Sequence, residues 1–345
     1  MILIMSRTYS GIFAPMKTAV FSTHNFEQEY FNKATSGKHE LVWIEARLSE
    51  STSLLAQGCE AVCIFVNDDA SEKVLKKLYG IGIRNLVLRS AGFNHVNLKA
   101  ASSLGIRVAR VPEYSPFAVA EHTVALMMAL NRKIVKAQNR IREGNFSLDG
   151  LTGFDMHGKT VGIVGFGKIG KCVASIVHGF GCNIIVYDPA PDTSWNNQFN
   201  IRYESLDFLF KESDIITLHA PLNPETKYLV NKEKINTMKK GVMLINTGRG
   251  GLVNTKDVIA GLKSGQIGYV GLDVYEEEQG LFFEDHSSEI LQDDIIARLT
   301  TFQNVLITSH QAFLTDTALE KIAEVTVENL DAFESGSACA NELKV

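Results

Sequence analysis

Apolar positions in this chain follow two rhythms. Short, mainly apolar runs, Thr18-Ala19-Val20-Phe21, Leu41-Val42-Trp43-Ile44, Ala61-Val62-Cys63-Ile64-Phe65, Leu86-Val87-Leu88 and Val108-Ala109-Arg110-Val111, read as strands, and the stretches between them read as helices. This alternation implies a parallel sheet with helices on both faces, so the first ~115 residues predict a small doubly wound α/β domain.

The rhythm resumes at Thr160-Val161-Gly162-Ile163-Val164 and passes through a second strand closed by Asp188. Further strands follow, each ending in polar groups: Ile215-Ile216-Thr217-Leu218 before His219, Val242-Met243-Leu244-Ile245 before Arg249, Val270-Gly271-Leu272 before Asp273 and Glu278, and Val305-Leu306-Ile307-Thr308 before His310. In open α/β sheets ligands bind outside the carboxyl ends of the strands, so successive strand ends deliver these groups to one crevice. Between the two strand series, Glu121 to Arg142 carries Val124, Met127, Met128, Ile134, Val135 and Ile141 at mostly helical spacing. That predicts one helix longer than the average of about 11–12 residues, bridging domains or contacting a second subunit. A last helix, from about Thr317 to Phe333, is expected to return to the first domain.

The turn after Val164 is Gly165-Phe166-Gly167-Lys168-Ile169-Gly170. Between a strand and a helix, the first glycine allows a tight turn, the second admits a pyrophosphate to the backbone, and the third packs helix on strand. Asp188, 18 residues beyond Gly170, is placed to meet the adenosine ribose hydroxyls. A carboxylate there repels a 2′-phosphate, and Pro189-Ala190-Pro191-Asp192 supplies no Arg or Lys, so NAD is expected rather than NADP.

Composition narrows the function classes. A net charge of -5, with no block of basic residues, argues against nucleic acid, and no apolar run reaches the ~18–20 residues of a membrane span. Cys59, Cys63, Cys172, Cys182 and Cys339 lack metal-ligand spacing and read as reduced thiols of a cytoplasmic protein. The carboxylates between Glu276 and Asp294 lack calcium-loop spacing, so no metal is expected. Met16-Lys17-Thr18-Ala19-Val20-Phe21 looks like a natural start, and residues 1–15 are expected to form an extension outside the fold.

Reduction of a carbonyl by hydride transfer leaves an alkoxide, which needs a proton donor, and a carboxylate-bearing substrate needs a fixed cation. Histidine suits the first role and the two-pronged arginine guanidinium the second. His310 and Arg249 are the candidates, with a carboxylate among Glu276, Glu277 and Glu278 beside the imidazole.

Arg249, Glu278 and His310, separated by 29 and 32 residues, resemble the D-isomer-specific 2-hydroxyacid dehydrogenase family in combination with Gly165–Gly170 and Asp188. The runs Val111-Pro112-Glu113-Tyr114-Ser115-Pro116, Asn246-Thr247-Gly248-Arg249-Gly250, Leu272-Asp273-Val274-Tyr275-Glu276 and His310-Gln311-Ala312-Phe313, and the insert Leu281-Phe282-Phe283-Glu284-Asp285, extend the resemblance over residues 17–343. It implies a Rossmann NAD-binding domain, 117–313, inserted into a flavodoxin-like catalytic domain made of 17–116 and 314–345. It further implies His310 as acid/base, Glu278 as its partner and Arg249 on the substrate carboxylate. Ala91 and Gly92 would cradle that carboxylate, Tyr114 would bind its other side, and Phe313 would cover the substrate side chain. Gly165, Gly167, Lys168, Ile169 and Gly170 would meet the pyrophosphate and Asp188 the ribose. His219, Ala220, Pro221, Thr226, Thr247, Gly248 and Asp273 would line the nicotinamide half. The implied reaction is hydride transfer from NADH to C2 of a small 2-ketoacid, pyruvate being expected, in a homodimer or homotetramer. Phenylpyruvate, hydroxypyruvate or glyoxylate are alternative substrates, and a non-catalytic NAD-sensing scaffold is the alternative outside enzymology.

Overall fold

The computed structural model describes residues 15–195 and 199–344. The expectation for residues 1–15 falls mostly on residues 1–14, outside the described residues. Met16 itself is buried, and its N–H donates to Glu334 Oε1 at 3.1 Å. By its contacts the chain divides into two compact units. One runs to Tyr114 and resumes at Asp316, and the other is Ser115–Thr315.

The first unit is built on β1 (Lys17–Val20), β2 (Glu40–Trp43), β3 (Ala61–Ile64), β4 (Asn85–Leu88) and β5 (Arg107–Ala109). They form a parallel sheet in the order β2-β1-β3-β4-β5, the flavodoxin-like winding. Side chains alternate between its faces. Ala19, Phe21, Val62, Ile64, Leu86 and Leu88 pack on one side, and Val20, Cys63 and Val87 pack with Leu330 and Phe333 on the other. Both faces are therefore covered, which is why these strands read as continuous apolar runs. The helix Asp316–Glu334 supplies the second cover. Asp316 Oδ1 accepts from the Tyr30 hydroxyl at 2.6 Å, Asn329 Nδ2 donates to Arg110 O at 3.0 Å, and the Asp331 carboxylate lies 2.8 Å from Nε2 of the buried His39.

The second unit carries β6 (Thr160–Val164), β7 (Asn183–Tyr187), β8 (Ile201–Tyr203), β9 (Ile215–Leu218), β10 (Val242–Asn246), β11 (Ile267–Leu272) and β12 (Val305–Ile307). All are parallel, in the order β12-β11-β10-β9-β6-β7-β8. The winding reverses between β6 and β9, and such a reversal opens a crevice at the carboxyl ends of the strands. Val161, Ile163, Ile215, Met243 and Ile245 pack against the helix Pro116–Asn131, while Val164, Leu218, Leu244 and Val270 build the opposite core.

Two features depart from the sequence expectation. Edge strand β8 was not expected, because Ile201-Arg202-Tyr203 offers a single buried apolar residue. The single helix expected over Glu121–Arg142 is two helices, Pro116–Asn131 and Ile134–Arg142. Ser115 Oγ accepts from Ala118 N and Pro116 occupies the first turn, which sets the start. The break has a polar cause. Asn131, fully buried, clamps the Phe154 backbone at 2.7 and 2.8 Å, and Lys133 turns into the left-handed region at φ 51°. The second helix buries none of its residues and leaves Ile134, Val135 and Ile141 exposed, as Phe146 and Leu148 are beyond it.

All five cysteines are free thiols. Among the described residues no helix is long and apolar enough to cross a membrane.

Candidate active site

Gly165 leaves β6 at φ 91°, where a Cβ would lie 2.7 Å from the His219 and Ala220 backbone. Gly170 packs so closely that a Cβ would lie 2.2 Å from Gly165 O, whereas the position of a Cβ at Gly167 has nothing within 4 Å. Two glycines are thus required by crowding and the middle one faces open space, the pattern a backbone-bound pyrophosphate needs. Gly167 is the N-cap of the helix Lys168–Gly179, whose first-turn N–H groups lack intrahelical acceptors. Asp188 follows β7; one carboxylate oxygen accepts from Phe166 N at 2.7 Å and the other from Ala190 N at 2.8 Å. A carboxylate offers about four acceptor sites, so capacity remains for ribose hydroxyls. These residues fit a dinucleotide. Fold contributes what the local sequence lacks: Lys171 reaches Asp192 at 2.5 Å and holds that carboxyl down to about 2, so the nearby lysine is engaged.

Across the same sheet, His310 and Glu278 meet. His310 Nδ1 lies 2.9 Å from Glu278 Oε1, both side chains being less than one-fifth exposed. Glu278 Oε2 also accepts from Tyr275 N at 3.2 Å, and this fixes the carboxylate from its own turn. Asp273, at the end of β11, is fully buried. Its oxygens accept from Thr308 Oγ1 at 2.6 Å, Gln311 N at 2.8 Å and Ala312 N at 2.9 Å, and its carbonyl accepts from His310 N at 2.7 Å. The carboxylate thereby holds the loop that carries His310 at φ 50°. Of the two acids at this strand end, Glu278 faces the imidazole and Asp273 organises its backbone.

Arg249 arrives at this rim from β10. Its Nη1 donates to Gly248 O at 2.7 Å, and the buried Asn246 side chain donates to Arg249 O at 2.9 Å while accepting from Gly248 N at 3.1 Å. A Cβ at Gly250 would fall 2.1 Å from Tyr275 C, so glycine there lets the arginine loop lie directly on the backbone leading to Glu278. The buried Thr247 shares a hydrogen bond of 2.8 Å with Thr123.

His219 caps β9, its N–H donating to Val164 O at 2.7 Å and its Nε2 lying 2.9 Å from Thr217 Oγ1. Burial holds the imidazole down to about 3, although part of the residue remains accessible, so this histidine is neutral near pH 7. Thr226 Oγ1 donates to Pro221 O at 2.6 Å and accepts from Asn223 N at 2.9 Å, which commits its hydroxyl to its own turn. Phe313 is 8% exposed. In the first unit, Ala91 and Gly92 follow β4 in a half-buried loop; Arg110 Nη1 donates to Ala91 O at 2.7 Å and Ser90 Oγ to Gly92 O at 2.8 Å. Tyr114 is half-buried.

Residues 124–312 match the model of the D-isomer specific 2-hydroxyacid dehydrogenase, NAD binding domain. The chain belongs to this family. A 2-hydroxyacid dehydrogenase homolog of Haemophilus influenzae is 51% identical over 327 residues, covering 94% of this chain and 98% of the relative. D-lactate dehydrogenase of Escherichia coli is 48% identical over 329 residues, covering 95% and 100%. The solved structure of the pyruvate reductase of Chlamydomonas reinhardtii superimposes with a TM-score of 0.90 at 42% identity, covering 95% of this chain and 99% of that one. The family and its NAD-binding domain agree with the fold and the open glycine turn.

Several residues of this dehydrogenase site escaped the sequence reading. Asn246 anchors the arginine loop, Thr308 links Asp273 to His122 at 3.1 Å, and Tyr275 donates to Asp293 at 2.7 Å. Burial and that bond to Asp293 push the Tyr275 phenol well up, so it stays protonated. Thr308 and Tyr275 give no signal in sequence because their partners are distant along the chain, and Asn246, which bonds within its own turn, is a common residue at a strand end.

Proposed function

We infer that this family member is an NAD-dependent D-lactate dehydrogenase that reduces pyruvate. The observation that carries the reading is the His310–Glu278 pair at 2.9 Å on the carboxyl rim of the sheet that also carries the glycine turn. The names of the Escherichia coli and Chlamydomonas relatives support the substrate.

Bound NADH supplies the hydride. Glu278 engages Nδ1, so Nε2 is the nitrogen left to give its proton to the oxygen at C2. Glu278 also keeps the ring oriented. In lactate oxidation the same nitrogen takes the proton back. Arg249 binds the substrate carboxylate through the guanidinium N–H groups not used on Gly248, and its charge polarises the ketone. His219, held neutral, serves as a hydrogen-bonding wall of the nicotinamide half and not as a competing acid. Gly165, Gly167, Lys168, Ile169 and Gly170 are assigned to the pyrophosphate, Asp188 to the ribose, and Ala220, Pro221, Thr247 and Gly248 to the nicotinamide side. Thr226 is assigned there through its backbone, since its hydroxyl is engaged. Asp273 acts from beneath by holding the His310 loop. Ala91, Gly92, Tyr114 and Phe313 are assigned to the substrate on the family resemblance.

The exposed Ile134, Val135 and Ile141 of the helix Ile134–Arg142, with Phe146 and Leu148 beyond it, favour a homodimer or a higher homo-oligomer that covers them. Five free thiols favour a cytoplasmic setting.

The test is an initial-rate panel with NADH or NADPH against pyruvate, phenylpyruvate, hydroxypyruvate and glyoxylate. Pyruvate with NADH is expected to give the highest kcat/KM. A preference for phenylpyruvate would transfer the assignment to a bulkier 2-ketoacid, and a preference for NADPH would contradict the role of Asp188.

A further inference from the structure

One aromatic contact on His310 lies outside the proton-transfer pair. The Phe283 ring centroid is 5.8 Å from that of His310, with the planes at 35°. Both residues hold left-handed backbone, φ 70° at Phe283 and 50° at His310, a region that bulky side chains seldom occupy and that clusters at working sites. The turn that builds this arrangement begins at Glu278, whose carbonyl accepts from Leu281 N at 3.1 Å and Phe282 N at 3.0 Å. Phe282 is anchored in the core at 7% exposure, and Phe283 N donates to Ser309 Oγ at 3.3 Å, directly before His310. A single turn therefore brings a carboxylate to Nδ1 and a flat ring to the imidazole.

We propose that Phe283 is a positioning residue for the acid/base, its ring restraining the plane of the His310 imidazole that Glu278 holds at Nδ1. A hydrogen bond to one ring nitrogen leaves the imidazole free to tilt about that bond, which would swing Nε2 away from the reacting oxygen. An aromatic surface against the imidazole removes that freedom, and it acts through His310 without touching substrate. Such restraint matters because a misplacement of about 1 Å costs on the order of 100-fold in rate. The proposal rests on the reading of His310 as acid/base.

Three variants test it. Phe283→Gly removes the ring and relaxes the left-handed backbone, so the fold loses no strained residue it needs. Turnover of pyruvate is expected to fall by about 10- to 100-fold, with the pyruvate KM and the NADH dissociation constant unchanged. Phe283→Tyr should restore turnover, whereas Phe283→Leu, apolar but not flat, should not. A readout independent of turnover is the His310 Hε1 proton resonance, identified by its disappearance in His310→Gln. It should move in the Gly and Leu variants and stay in the Tyr variant. Wild-type turnover in a folded Phe283→Gly enzyme, or rescue by Leu as complete as by Tyr, would overturn the proposal. Should the Gly variant fail to fold, the Tyr and Leu pair decides it. Undiminished activity in His310→Gln would instead sink the acid/base reading, and the resonance would still report whether the ring contact exists.

Discussion

The two sheets meet the same problem at their carboxyl ends and solve it in opposite ways. In the five-stranded sheet the ends of β1, β3 and β4 are tied together, with the loop of Ala91 and Gly92 beyond them. Arg89, directly after β4 and 1% exposed, lies 2.9 Å from Glu27 Oε2 and donates through Nη2 to the carbonyls of Phe21 and Ser22, each at 3.0 Å. Asp68, just past β3, accepts from Ser22 Oγ at 2.7 Å, Leu48 N at 2.7 Å and Phe65 N at 2.6 Å, while burial pushes its carboxyl up. Cys63 beneath them is inert, its thiol pushed up to about 11 by burial. In the seven-stranded sheet the rim stays open: Gly167 faces free space, and His310 and Arg249 keep N–H groups that no other described residue consumes. Polar residues at strand ends thus become architecture when they satisfy one another and become chemistry when part of their capacity is left over.

Breaking each rim should give opposite signatures. The largest effect is expected from His310→Gln, which should lower turnover by about 10²- to 10⁴-fold in steady-state NADH oxidation while leaving the urea midpoint at its wild-type value. Arg89→Met should do the reverse, costing about 3–5 kcal/mol in urea unfolding because Glu27 is left buried and unpaired. Replacing both partners by apolar residues, Arg89→Met with Glu27→Leu, should recover much of that loss, and equal destabilisation in the double variant would contradict the tied-rim account. Arg249→Lys keeps the charge and loses the fork, so the pyruvate KM should rise by about 10- to 100-fold; an unchanged KM would remove the arginine from the carboxylate.

The smallest effect at neutral pH concerns His219. Its folded state resists protonation down to about pH 3, against an ordinary value of 6.5, so below 6.5 the unfolded chain takes up a proton that the folded protein refuses. Stability should therefore be insensitive to this group above that window and fall as pH drops through it. His219→Gln should flatten the acid side of a plot of urea midpoint against pH, and an unchanged slope would contradict the burial of the imidazole.

Much of the open rim was legible in the sequence because its residues announce themselves by type and position. Glycines at fixed spacing after an apolar strand, an acid closing the next strand, and His and Arg just past later strands all carry their chemistry in their identities. The choice among three consecutive glutamates was not legible without the family resemblance. Glu276 accepts from Thr255 N at 3.2 Å while Glu278 turns to His310, and only the turn distinguishes them. The tied rim was invisible, since a buried Arg89 looks like any surface arginine until Glu27 and the Phe21 carbonyl are brought to it. The break at Lys133 was hidden for a related reason, because helical spacing continues across it and the clamp on Asn131 comes from Phe154, 23 residues later.

If the open rim reduces pyruvate with one proton from His310 and one hydride from NADH, the purified protein incubated with both substrates should lower the NADH absorbance and release a product of one configuration. Equimolar D-lactate is the predicted result. No NADH loss, or accumulation of L-lactate, would contradict it.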